Sequence, residues 1–167
     1  QTAPGRVYGN PYTSAGGFPV DVLRGGPMGM NRDSTYTPCL RWELLPQPRI
    51  QMIGPPSFTG SLSATDLMCH ILRQAVDQSG TVVALTAHFA EFVDPSRGYA
   101  AATFELSQDH TAGRIMRFSK ITPDTAITGA EQRMELKPPL VVSSGQYLGI
   151  INLSGASLRL SLLRPRP

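Results

Sequence analysis

The chain has 167 residues, 16% of them charged, a formal net charge of +3 and an isoelectric point near 9.1. That length supports one core of ordinary size, and no run of about 18 apolar residues is present to cross a bilayer as a helix. The charged fraction lies below the ~25% usual for soluble domains, so more of the surface is neutral or apolar, as faces covered by partners would be. Arginines number 13 against 2 lysines, a bias that favours interface contacts. They are scattered from Arg6 to Arg166 without the basic run that a nucleic-acid patch needs. Two cysteines, Cys39 and Cys69, make no disulfide framework; a single bridge and two buried free thiols both stay open. The sequence begins at Gln1, as a processed chain or a piece cut from a longer polyprotein would.

In chain order, residues 1–38 come first as an extended arm. They hold 7 glycines and 5 prolines, too little apolar surface to offset the entropy of being fixed. Ordering such an arm requires a surface to lie on, its own domain's or a neighbouring subunit's. Tyr8, Tyr12, Phe18 and Leu23 are its expected anchors at a subunit interface, because aromatic side chains give large contact area for little entropy. Docking is expected through isolated pockets rather than a continuous ladder.

A single domain follows over residues 39–164, with 165–167 as a tail. Residues 39–45 alternate, Leu40, Trp42 and Leu44 against Arg41 and Glu43, and Pro46 and Pro48 end this strand. Residues 49–53 form a short strand closed by Gly54-Pro55-Pro56. Residues 63–79 place Leu67, Met68, Ile71, Leu72, Ala75 and Val76 at helical spacing, with Ser63 and Asp66 in capping-box positions. They are expected to form one short helix, against a strand ending in a 77–80 hairpin turn. Over 81–93, Val83, Leu85, Ala87 and Phe89 share a face opposite Thr86 and His88. Strands over 99–106, 114–121, 132–136, 140–142, 146–153 and 157–163 follow, with polar turns at 94–98 and 108–113. Such spacing predicts an all-β, antiparallel sandwich of jelly-roll type. The expected core is Leu40, Trp42, Leu44, Val83, Leu85, Phe89, Phe104, Leu106, Met116, Phe118, Leu148, Ile150, Leu158, Leu160 and Leu162.

Chemistry-bearing patterns are sparse. His70, His88 and His110 sit on separate segments without metal-ligand spacing. No nucleophile elbow, His-Glu-x-x-His pair, P-loop or dinucleotide glycine signature occurs. Glu91, Asp94, Glu105 and Asp109 could face one another across strands, as glycosidase acids do, but solvated surface is the simpler reading. Asn152-Leu153-Ser154 matches a glycosylation sequon inside an apolar strand. No catalytic, cofactor-binding or metal residue is expected, and no cofactor.

The run from Leu140 to Leu163, in which a penultimate strand follows the Ser143-Ser144-Gly145 turn and Ser154-Gly155 leads into the last strand, resembles the end of a jelly roll. Viral coat proteins of the single jelly-roll type have this ending, often behind an extended N-terminal arm. The trimeric heads of the tumour necrosis factor and C1q type end similarly. The resemblance implies a structural self-assembling protein, a virion or capsid component rather than an enzyme. Its partners would be copies of itself and other capsid subunits, with a host receptor and nucleic acid as further candidates. The missing basic N-terminus departs from many icosahedral coats. It points to a projecting, minor or accessory capsid domain, or to a coat whose genome-binding part lies outside this chain. The alternative is an extracellular oligomeric recognition head that binds a receptor or glycan through loops 94–98 and 108–113.

Overall fold

The structure, a computed structural model, describes residues 5–8, 20–30, 36–46, 48–62, 66–67, 69–89, 98–124, 127, 129–153 and 158–164. For 5–8, 66–67 and 158–159 it describes the backbone alone. In chain order these residues build β1 (Gly5–Tyr8), α1 (Val20–Leu23), β2 (Met28–Gly29), β3 (Thr37–Pro38), β4 (Leu40–Leu45) and β5 (Gln51–Ile53). There follow β6 (Asp66–Leu67), β7 (Cys69–Leu72), β8 (Gly80–His88), β9 (Tyr99–Leu106), β10 (Ala112–Ile121), β11 (Glu131–Val142), β12 (Tyr147–Asn152), β13 (Leu158–Arg159) and β14 (Leu162–Leu163).

The pairings nest inside one another. β6 pairs with β13, β7 with β12, β8 with β11 and β9 with β10, all antiparallel. Successive strands from the front of the domain thus meet successive strands from its back, which is the winding of a jelly roll. Two main sheets result, a six-stranded one in the order β1-β7-β12-β9-β10-β2 and a four-stranded one in the order β11-β8-β4-β5. Bridges Leu62↔Leu162 and Phe89↔Leu160 tie the last segment across the end of the sandwich.

Between the sheets lies the larger core, with Leu40, Trp42, Leu44, Leu85, Phe89, Leu148, Ile150 and Leu160 all fully buried. A second apolar cluster covers the outer face of the six-stranded sheet. There Cys69, Ile71, Ala100, Ala102, Phe104, Ile115 and Ile151 are roofed by Val22, Met28 and Met30, with Leu23, Leu106 and Phe118 partly buried against them. Phe104, Leu106 and Phe118 therefore pack outside the sandwich rather than within it. The roof begins with α1, which Gly25 and Gly26 close: Gly25 N donates to Val22 O and Gly26 N to Asp21 O, with Gly25 at φ 97°. This is a Schellman-type cap, which needs a left-handed residue and so takes glycine.

Several expectations are corrected. Residues 63–79 hold no helix among the described positions but β6 and β7; among the described residues the short helix is α1. All four residues of β7 are buried, Cys69 and Ile71 toward the outer cluster and Leu72 toward the inner core. Burial on both faces erases the alternation that marks a strand, leaving a spacing that imitates a helix. Val83 is only half-buried, and Val82 takes its place in the core. Both neighbours of β8 skip Val83, since Leu44 pairs with Val82 and Glu43 with Ala84, while β11 steps from Glu135↔Ala84 to Leu140↔Val82. One extra residue reverses the alternation beyond it. The same device expels Met116, which is 41% exposed where β10 slips between Ile115 and Arg117. The side chain of Leu158 lies outside the described residues.

The described parts of the arm lie on their own sandwich. β1 extends the six-stranded sheet at one edge through Gly5↔Leu72 to Tyr8↔Cys69, and β2 extends it at the other. The arm thus contributes a ladder as well as isolated anchors, because β7 offers it an edge of unpaired backbone groups.

Candidate assembly surface

The outer face of the four-stranded sheet carries the outward-pointing residues of β4, β8 and β11. Arg41, Thr86 and Arg133 occupy one register row, and Glu43, Ala84 and Glu135 the next. Two ion pairs cross this face diagonally over β8. Arg41 Nη2 donates to Glu131 Oε1 at 2.7 Å. Arg133 Nε and Nη2 donate to Glu43 Oε2 and Oε1 at 2.6 and 3.0 Å, a bidentate fork. Glu43 holds the Arg133 guanidinium charged, its pKa raised first by this hydrogen bond. Arg41 also donates to the carbonyls of Pro55 and Pro56 at 3.2 and 3.3 Å and lies 4.8 Å from the Phe58 ring centroid. It thereby fastens the loop after β5 to the sheet.

Below these pairs the face turns apolar. Leu45, Thr81 and Val141 form one row across β4, β8 and β11. Continuing the Leu44↔Gln51 register puts Ile50 opposite Leu45, and Met52 pairs with Glu43 beside them. Leu45, Ile50, Met52 and Val141 are 46%, 49%, 50% and 52% exposed. Among the described residues the other exposed large apolar side chains are Val20 and Met116. Scattered exposed apolar residues are ordinary, whereas these four gather on one corner of the sheet. Alternation in β4 and the bulge in β11 place them; no motif announced them in the sequence.

The expected arm anchors are only partly visible. Leu23 packs against the outer cluster of its own chain. Tyr8 lies in β1, whose backbone pairs with β7, and its side chain is outside the described residues. Tyr12 and Phe18 also lie outside them, as do Glu91, Asp94 and the turn at 94–97.

Other polar groups are structural ties. His88 Nδ1 lies 2.7 Å from Ser161 Oγ, where backbone bonds from Cys39 N to Ser161 O and from Ser161 N to His88 O join three segments of the chain. Ser161 is 2% exposed, so its hydroxyl has no open approach for a substrate carbonyl and serves to pin the last segment. Asp109 Oδ1 accepts from Ser107 Oγ, Thr111 N and Thr111 Oγ1 at 2.8, 3.1 and 2.8 Å. These bonds hold its pKa below the ordinary carboxylate value, the Thr111 hydroxyl first. His110, at φ 60°, places Nε2 3.4 Å from the Tyr147 hydroxyl. Cys39 and Cys69 are free and buried, and burial pushes both thiols up to about 12. Asn152 is fully buried, which removes its sequon from reach in the folded chain. Among the described residues, no group of three or more His, Cys, Asp or Glu is placed to hold a metal ion, and no helix is long and apolar enough to cross a membrane. No family model matches this sequence, and no curated protein or solved structure matches it either.

Proposed function

We propose that this protein is a structural, self-assembling component of a virion or capsid that works through contacts with copies of itself. The observation that carries this is the cluster of Leu45, Ile50, Met52 and Val141, left open on a sheet face whose neighbouring charges are already paired. Burying such a cluster is favourable at roughly 25 cal/mol per Å², and a partner is the means of burying it. The nested strand pairs and the arm that lengthens one sheet at both edges suit a subunit packed among others. Other capsid subunits are further partners in this proposal, with Tyr8, Tyr12, Phe18 and Leu23 as arm anchors.

Native mass tests it. A very large particle supports a capsid role, and a monodisperse monomer at millimolar concentration overturns self-assembly. A discrete trimer instead supports the second reading, an extracellular recognition head binding a receptor or glycan. The 107–111 turn, tied together by its Asp109 hydrogen bonds, favours that role as a binding loop.

A further inference from the structure

The outer face of the six-stranded sheet is covered by one short piece of the arm, residues 20–30. Val22, Met28 and Met30 are its buried side chains, with Leu23 partly buried beside them. Beneath lie Cys69, Ile71, Phe104, Ile115 and Ile151. Gly113 leaves the seat for Met30, since a Cβ there would lie 2.6 Å from Met30 Cε. This outer cluster shares no residue with the core between the sheets, so it can come apart without breaching that core.

Few bonds hold the covering piece down. Its ladder to β10 is Ala112↔Gly29 and Gly113↔Met28, followed by one bond from Met30 N to Thr111 O at 2.9 Å. Arg24 N, Gly25 N and Gly26 N donate to the carbonyls of Val20, Asp21 and Val22, inside the piece itself, and these bonds would travel with it. Among the described residues, Asp21 and Arg24 add no ion pair or side-chain hydrogen bond to the sheet. The β7–β12, β12–β9 and β9–β10 ladders contain none of residues 20–30, so the sheet keeps those bonds without its cover. A segment with so few hydrogen bonds and so small an apolar footprint opens at a lower free energy than the sheet it lies on.

We propose that residues 20–30 are a strap that opens as a unit and uncovers the outer face of the six-stranded sheet while the sandwich beneath stays folded. The strap then governs when the apolar surface around Phe104 and Ile115 meets solvent, and when Cys69, buried in the closed state, becomes reachable. Such opening needs no partner, so it holds apart from the self-assembly reading.

Cys69 is the reporter. In urea below the unfolding transition, mass-resolved thiol labelling should find Cys69 reacting about tenfold or more faster than global unfolding, followed by circular dichroism, would allow. The Met30 N–H should exchange with solvent ahead of the β9 and β12 amides by a similar factor. Met28→Ala should raise the Cys69 rate about tenfold or more, since losing the buried methionine weakens the closed state. Cys39 labelling and the circular-dichroism midpoint should stay unchanged in that variant. Gly29 has open space for a Cβ and pairs with Ala112. Oxidising Gly29→Cys with Ala112→Cys should therefore bridge the strap to β10 and return Cys69 to the global rate. Wild-type Cys69 labelling in step with the circular-dichroism change overturns the strap, as does a Met28→Ala midpoint that falls in proportion to the labelling. A bridged variant whose Cys69 still labels early also overturns it, because another route then exposes the thiol.

Discussion

Arg133 grips Glu43 through two parallel hydrogen bonds, at 2.6 and 3.0 Å, reaching across the full width of β8. The partners lie 90 residues apart in sequence. Arg41 and Glu131 make the mirror gesture from the other side. Three adjacent strands of the four-stranded sheet, β11, β8 and β4, are therefore laced together on the face that solvent sees.

The strength of that lacing is measurable. Arg133 is 51% exposed in its side chain and Glu43 12%, so solvent screens the pair. A double-mutant cycle with Arg133→Ala and Glu43→Ala is expected to give a coupling of about 0.2–1 kcal/mol in urea denaturation. The coupling should shrink as salt rises. A coupling indistinguishable from zero at low salt would show that the fork does not contribute to stability.

Gly149 sits where the outer cluster comes closest to the sheet. A Cβ there would lie 2.5 Å from the His70 carbonyl oxygen, 2.8 Å from Phe104 Cε1 and 2.9 Å from Ile71 Cγ1. The backbone oxygen cannot yield as a flexible side chain does, so Gly149→Ala should destabilise the fold by about 1–3 kcal/mol. Thermal denaturation decides it, and an unchanged midpoint would refute the close packing of Phe104 over this glycine.

Cys39 and Cys69 should be inert in the folded protein. Both are buried and free, and both thiols titrate near 12, so the reactive thiolate is scarce at neutral pH. An aromatic disulfide reagent is expected to label neither in native buffer and both in denaturant. Labelling of either cysteine at the rate of a free thiol, without unfolding, contradicts this.

Asp109 should titrate below the ordinary aspartate value, about 3.9, because three hydrogen bonds favour its charged form. The folded pKa is depressed, so the stabilisation is present above the unfolded value and is lost as pH falls through the lower folded one. Carboxyl NMR should show the shifted midpoint. The stability difference between wild type and Asp109→Asn should fade only below about pH 4. A midpoint at or above the ordinary value rules this out.

Much of the sandwich is legible in local alternation. Leu40, Trp42 and Leu44 read as one face and are fully buried, because a strand covered on a single side writes its burial with period two. Leu148, Ile150 and Leu160 read as apolar positions and are buried in the inner core. Leu45, Ile50, Met52 and Val141 read only as ordinary apolar positions, since nothing local distinguishes an apolar side chain that ends outside from one that ends inside.

By itself the sequence determined the fold class and the glycine- and proline-rich composition of the arm, both carried by composition and short-range period. Tertiary structure decided what those periods hide. Val83 and Met116 leave the core because a neighbouring strand skips them, and a bulge is a property of the pair rather than of either strand. β7 escapes recognition because the inner core covers one of its faces and the roof of the outer cluster the other. Arg41, Glu43, Glu131 and Arg133 become a surface only when β4 and β11 are brought to either side of β8. Long-range pairing sets each of these, and no local window of residues contains it.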